Sequence, residues 1–202
     1  MDSERFTDSG MSLGTGNSFS VALGDVDGDG DLDAYVSDGS NQTSKLWLNN
    51  GSGSFSDSGQ SLGNSEGNEV ALKDLDGDGD LDAFVANHQG TANTVWFNNG
   101  SGTFTDSGQA LGSSNSQHIA LGDIDGDGDL DAFVPNDSRQ ANTVWLNNGS
   151  GLFTDSGQAL GDSGSFVVEL ADLDGDGDLD AIIANSDQSP KANKVWVNGG
   201  DP

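Results

Sequence analysis

Residues 25–33 read DVDGDGDLD, and the phrase returns as DLDGDGDLD at 74–82, DIDGDGDLD at 123–131 and DLDGDGDLD at 172–180. The step between copies is 49 residues each time. Each copy places five acids in nine residues, so something positive must offset their mutual repulsion. Oxygen ligands at alternate positions of a glycine-bearing loop suit a hard divalent cation. Calcium takes six to eight such oxygens at about 2.3–2.6 Å. In the first copy Asp25, Asp27, Asp29 and Asp33 can turn carboxylates inward. Asp31 is placed to offer its backbone carbonyl, with its side chain outside. Gly28 and Gly30 permit the tight curl.

One competing reading fails on spacing. The loop matches the first six positions of the EF-hand, but that motif needs a bidentate Glu at its twelfth. Val36, Val85, Val134 and Ile183 stand there instead. The carboxylate that closes the site is the ninth, within the following strand.

Two further markers keep the same period. FTDSG or FSDSG begins at Phe6, Phe55, Phe104 and Phe153, and a tryptophan recurs at Trp47, Trp96, Trp145 and Trp196. The last tryptophan step is 51, so two residues are inserted in the stretch DQSPKAN. A period near 49 falls in the roughly 40–50-residue range of propeller blades. Each unit reads as four short strands. In the first, residues 18–23 alternate, with Val21 and Leu23 on one face. Residues 32–36, 45–49 and 54–59 follow, the last after the Asn50-Gly51 hairpin signal. No segment carries a capped helical period, and 31 glycines argue against one. The expected fold is all-β, a β-propeller of four repeats, each a four-stranded antiparallel blade.

The domain spans 1–202, with blades at about 18–62, 67–111, 116–160 and 165–198. The chain opens on a lone fourth-strand phrase, 6–14, and finishes on a third strand, KVWVNGG. The expected ring is therefore closed by the N-terminal strand pairing with the last blade, which removes two sheet edges. A monomeric four-blade ring is expected, because the closing strand is tethered to its own chain. Two chains exchanging that strand in an eight-blade ring are the alternative.

Charge narrows the partners. The chain has 34 acids against 6 bases and a net charge of −28. That excludes nucleic acid and anionic membrane, which both need basic patches. There is no cysteine, so neither disulfides nor thiol chemistry contribute. No apolar run approaches the roughly 20 residues of a membrane span, and residues 1–10 show no signal peptide.

The pattern D-x-D-G-D-G-x-x-D, after VALGD and before LDAYV, resembles the FG-GAP/VCBS repeats of integrin-like β-propellers. The resemblance covers essentially the whole chain. It implies calcium in each loop, about four ions per chain, held through the first, third, fifth and ninth positions and the seventh carbonyl. Carried over, the ligand sets are Asp25, Asp27, Asp29, Asp31 and Asp33; Asp74, Asp76, Asp78, Asp80 and Asp82; Asp123, Asp125, Asp127, Asp129 and Asp131; and Asp172, Asp174, Asp176, Asp178 and Asp180. Familiar members have about seven blades and this chain encodes four, which bears on closure and not on the metal sites. The resemblance also implies an extracellular or cell-surface module that recognises glycan or protein. Alternatives are a purely structural unit of a larger surface protein, or the non-catalytic part of a polysaccharide-degrading enzyme.

Catalysis is not expected. GNSEG at 63–67 matches the G-x-S-x-G elbow, and GDSGS at 161–165 looks like a trypsin-like nucleophile region. Both lie in an inter-blade loop without the strand-turn-helix context an elbow needs. His88 is expected in a loop and His118 at the start of an inner strand, at surface or channel-edge positions. The tryptophans are expected between blades. The loops after the second strands vary among copies, as do Glu69, His118 and Glu169 on the inner strands. Variation on a constant scaffold suits both a binding face and unconstrained drift. Five Asn-x-Ser/Thr sites occur, at Asn41, Asn50, Asn99, Asn136 and Asn148; three fall in the hairpin turn, where turn chemistry accounts for them.

Overall fold

The computed structural model describes residues 5–39, 42–63, 66–186 and 191–199. Four antiparallel sheets follow one another along the chain. The first holds β1 (Ser18–Gly24), β2 (Asp33–Asp38), β3 (Lys45–Asn49) and β4 (Phe55–Asp57), paired in chain order. The second repeats it with β5 (Gly67–Lys73), β6 (Asp82–Asn87), β7 (Thr94–Asn98) and β8 (Phe104–Asp106). The third holds β9 (Ala120–Gly122), β10 (Asp131–Val134), β11 (Thr143–Leu146) and β12 (Thr154–Asp155). The fourth has three strands, β13 (Ser165–Ala171), β14 (Asp180–Asn185) and β15 (Lys194–Trp196). The described residues contain no helix, so none is long and apolar enough to cross a membrane.

The alternation read in the sequence sets the packing. One face of each sheet carries residues equivalent to Val70, Leu72, Leu81, Ala83 and Val85. The other carries residues equivalent to Val26, Tyr35 and Leu46. These two faces meet between the first and second sheets. The second and third sheets repeat the contact through Leu75, Phe84 and Val95 against Ile119, Ala132 and Val134. The third and fourth use Phe133 and Val144 against Val168, Ala181 and Ile183. The valine, leucine, isoleucine and phenylalanine side chains among these contribute about 1.5–3 kcal/mol each when fully buried. Three of the four tryptophans lie between sheets as expected: Trp145 is in the second core, and Trp96 and Trp196 pack against the first and third. Trp47, on the first sheet, lies beside Gly14.

Two departures have local causes. The third repeat's inner strand begins at Ala120, so His118 precedes the strand. Pro135 stands where Ser37 and Ala86 pair with Ser20 and Glu69 in the first two sheets. Proline has no N–H for the ladder, and β10 stops at Val134. The expected pairing of residues 6–14 with the last sheet is also not formed. Residues 5–17 contain no strand, and the fourth sheet ends at β15. With the three interfaces packed, the first and last sheets keep apolar faces in solvent. The side chains left exposed are Val21, Leu23 and Leu32 on the first sheet and Ile182, Val195 and Val197 on the fourth.

Candidate metal centres

Each acidic phrase forms the loop between a sheet's first and second strands. The two glycines take positive φ, 76° at Gly28 and 93° at Gly30, and the other three loops repeat this. That curl turns backbone N–H groups toward the first aspartate. Asp25 Oδ1 accepts from Gly28 N (2.9 Å) and Oδ2 from Gly30 N (3.0 Å). Asp27 Oδ1 accepts from Asp29 N (3.2 Å), and Asp29 Oδ1 from Asp31 N (2.9 Å). Asp74, Asp123 and Asp172 hold the matching glycine bonds at 2.7–3.2 Å.

The result is a carboxylate triplet in every loop. Asp25, Asp27 and Asp29 bring one ligand oxygen each within 4.8 Å of the others, as do Asp74, Asp76, Asp78 and Asp123, Asp125, Asp127. In the fourth loop the triplet is Asp172, Asp174 and Asp180. Each could hold a metal ion, and an all-carboxylate donor set fits a hard cation.

The ninth carboxylate does something the sequence reading did not assign. Asp33, Asp82, Asp131 and Asp180 are fully buried. Asp33 Oδ2 accepts from Val26 N (3.1 Å), fastening the start of the loop, and Oδ1 from Asn49 N (2.8 Å) at the end of β3. Asp82 spans Leu75 N and Asn98 N in the same way, Asp131 spans Ile124 N and Asn147 N, and Asp180 spans Leu173 N and Asn198 N. This residue braces the loop against the sheet. Only in the fourth loop does it join the triplet.

The seventh residue keeps its side chain outside, as expected. A Cβ on Gly51 would overlap the Asp31 carboxylate, and Gly100 and Gly149 stand in the same relation to Asp80 and Asp129. The side chain therefore points at the neighbouring hairpin turn. Within that turn Asn50 Oδ1 accepts from Ser52 N (3.1 Å) and Ser52 Oγ (2.7 Å), the turn chemistry anticipated for the Asn-Gly-Ser sites. Asn41 lies outside the described residues.

The electrostatics carry the cost of crowding. Burial pushes the Asp27, Asp76 and Asp125 carboxyls above the ordinary aspartate range, and neighbouring carboxylates push the same way. Asp82 is pushed up to about 6 by burial, against the pull of its two backbone donors. A cation among these groups would favour their charged forms.

Residues that reach between sheets were not singled out in the sequence. Asn98 Nδ2 donates to Val26 O (2.7 Å), Asn147 Nδ2 to Leu75 O (2.8 Å) and Asn198 Nδ2 to Ile124 O (2.7 Å). Each links a sheet to the acidic loop of the preceding one. Gln60 Nε2 donates to Gly102 O (2.6 Å) and Gln109 Nε2 to Gly151 O (2.7 Å), toward the following sheet. Their recurrence at the 49-residue step, lengthened to 51 between Asn147 and Asn198, was the available signal.

A second feature lies where the inner strands converge. Ladder irregularities flank Phe19, Asn68 and Phe166, and such bulges re-aim a side chain. These residues, with Ser20, Glu69, Gln117, His118 and Val167, line a groove of about 270 Å³ shared by all four repeats. His118 Nε2 lies 3.3 Å from Glu69 Oε1, and Glu69 Oε2 accepts from Ile119 N (2.8 Å). Burial and then the Glu169 carboxylate push Glu69 up to about 7, and burial pulls His118 below its usual value. Of the protease-like phrases, Ser163 is buried, while Asn64 and Ser65 of GNSEG lie outside the described residues.

Four sheets with one acidic loop per sheet define an all-β repeat protein. The FG-GAP-like repeat profile matches it three times, over residues 25–85, 74–134 and 123–183. The chain belongs to the FG-GAP-like repeat family. Each match runs from one acidic loop through the second strand of the following sheet, so the family unit straddles a sheet-to-sheet interface. No curated protein matches the sequence.

Proposed function

We propose that this chain is a calcium-loaded β-propeller module for extracellular recognition of a glycan or protein, without catalytic activity of its own. The observation that carries the reading is a carboxylate triplet in each of four loops of closely similar backbone geometry, drawn from the first, third and fifth positions in three loops and from the first, third and ninth in the fourth. Solvated turns have no need of acids at fixed alternate positions. In the first loop Asp25, Asp27 and Asp29 would hold the ion, with the Asp31 carbonyl and the remaining lone pairs of Asp33 completing an oxygen set. The other three loops would repeat this with their own five aspartates. Bound calcium supplies the positive charge that makes the cluster tolerable. Four ions would bring −28 to about −20. Near-millimolar calcium outside cells would fill even weak sites of this kind.

Recognition is supported by the arrangement around the constant loops. The axial groove and the loops after the second strands carry the residues that differ among copies, including Glu69 and His118. Paired melts in chelator and in millimolar calcium test the metal reading. Each site contributes about 2.7 kcal/mol at one hundred times its dissociation constant, so the midpoints should separate widely. Equal midpoints would remove structural calcium from the proposal. A glycan array with and without calcium tests recognition: specific, calcium-dependent binding supports it, and a blank array leaves a scaffold or a protein-binding module.

A further inference from the structure

We infer that a cavity between the third and fourth sheets is a socket for Phe6 of a second copy of this chain, and that two copies close one ring of eight sheets. This rests on reading the sheets as propeller blades and is independent of the metal.

The interior of the molecule shows what the socket takes. Between the first and second sheets Tyr35 meets Phe104 edge to face, with ring centroids 5.8 Å apart. Between the second and third, Phe84 meets Phe153 at 5.3 Å. In both cases the incoming phenylalanine sits at the fourth strand of the following sheet. Its backbone N donates to a glutamine of the preceding one: Phe104 N to Gln60 Oε1 (2.9 Å), Phe153 N to Gln109 Oε1 (2.8 Å). Between the third and fourth sheets Phe133 and Gln158 hold the same positions, but no such phenylalanine arrives. A cavity of about 90 Å³ stands there, lined by Phe133, Gln158, Leu160, Leu170, Trp196 and Asn198 among others.

The missing phenylalanine has a counterpart 49 residues before Phe55. Phe6 is fully exposed. The residues after it form no strand but touch the first sheet at two points where the outer strand of a preceding sheet would. Phe55 N donates to Met11 Sδ (3.5 Å), in the place of the glutamine bonds. Gly14 lies beside the Trp47 ring as Gly63 lies beside Trp96. In the first sheet Asn49 pairs with Phe55, Leu48 with Ser56 and Trp47 with Asp57. The same register would set Asn198 opposite Phe6, Val197 opposite Thr7 and Trp196 opposite Asp8.

The two open faces match as the internal ones do. Val21 is 59% exposed, whereas its equivalents Val70, Ile119 and Val168 are 4%, 6% and 0% exposed. On the fourth sheet Ile182 is 44% and Val195 57% exposed, whereas Tyr35 and Leu46 at those positions are both 0%. Each open face is thus one half of an interface the molecule makes three times. The polar link is also waiting. Asn49 Nδ2 turns to its own Leu32 O (3.1 Å), and its Oδ1 is buried without a partner. Its equivalents reach the preceding sheet's loop carbonyl, whose counterpart is Leu173 O. Glu169, where the other repeats have Ala22, Ala71 and Ala120, is the charged departure on this face. It is exposed and close enough to Glu69 and His118 to act on both.

The occupant is a second copy because, with the three interfaces packed, the first and last sheets of one chain do not cover each other's open faces: Val21, Ile182 and Val195 stay exposed. Copies add sheets in fours, and propellers have four to eight blades. Two chains are therefore the count that closes a ring at a shallower turn. This exchange is head to tail, and closure distinguishes it from a fibre.

Light scattering after gel filtration decides it, in calcium and about 0.15 M salt to screen the acidic surfaces. Wild type is expected at twice the chain's 20.6 kDa. Phe6→Ala and Val21→Glu should each shift it to a single-chain mass while the strand signal in circular dichroism remains. A wild-type mass of one chain overturns the inference, and a mass well beyond two chains overturns the closed ring. Both variants staying at double mass would overturn the assignment of these faces. Calcium counted on the same samples keeps this failure separate: a calcium-loaded monomer sinks the two-chain ring alone.

Discussion

Consider Asp33→Ala beside Asp29→Ala, in the same acidic loop. Both remove a carboxylate from the first site, so both should weaken its calcium. They differ in what else is lost. Asp33 is fully buried and accepts from Val26 N and Asn49 N at 3.1 and 2.8 Å. Alanine leaves two backbone donors without acceptors, at about 1–3 kcal/mol each, or about 2–6 kcal/mol together. Asp29 is exposed and accepts a single bond from Asp31 N at 2.9 Å. Losing it costs about 1 kcal/mol, and removing one of several like charges offsets part of that. The discriminating measurement is therefore made in chelator, by urea denaturation followed through tryptophan fluorescence. Asp33→Ala should fall below wild type by at least about 2 kcal/mol, a large share of a total near 5–15 kcal/mol. Asp29→Ala should lie close to wild type. If the two variants unfold together in chelator, the ninth aspartate is a ligand and nothing more, and its role as a brace is wrong.

Stability should depend on pH with opposite signs in the two metal states. Without calcium, Glu69 is raised from 4.5 to about 7 and Asp82 from 3.8 to about 6; the folded chain then holds more protons than the unfolded one, and stability falls as pH rises from about 4 to 7. In excess calcium, protons compete with the ion for carboxylates, so melting midpoints should rise over the same span. Gly149→Ala should destabilise by at least about 1 kcal/mol, because φ is +73° and the new Cβ would overlap the Asp129 carboxylate; thermal melts in calcium would show it. Asn147→Ala removes the donor to Leu75 O and should cost about 1–3 kcal/mol, read by the same melts.

Most of the architecture was written in the period. The acidic phrase, the phenylalanine and the tryptophan recur in phase, so sheet number and strand order could be read directly. The strands read at 18–23, 32–36 and 45–49 became β1, β2 and β3 within one or two residues. What stayed hidden depends on three-dimensional contacts that periodicity does not encode. Asp33 looks like one more acid in the loop until Val26 N and Asn49 N are seen on its two oxygens. The bulges that aim Phe19, Asn68 and Phe166 at the axial groove leave no mark in the alternation. Pro135 was visible, but its effect on the third inner strand required knowing that residue 118 lies opposite. Closure of a ring depends on the angle between sheets, which follows from side-chain packing along whole interfaces and not from the period.

Counting calcium tests the central claim most directly. Native mass spectrometry of the wild-type chain, titrated with calcium and referenced to the chelated mass, should show about four ions per chain at saturation. Asp76→Ala, which disrupts the second triplet alone, should show one fewer. Magnesium should fill the sites poorly, since it holds its waters and demands a stricter geometry. No bound ion in the wild type, or a count that Asp76→Ala leaves unchanged, would contradict the assignment of these loops as metal centres.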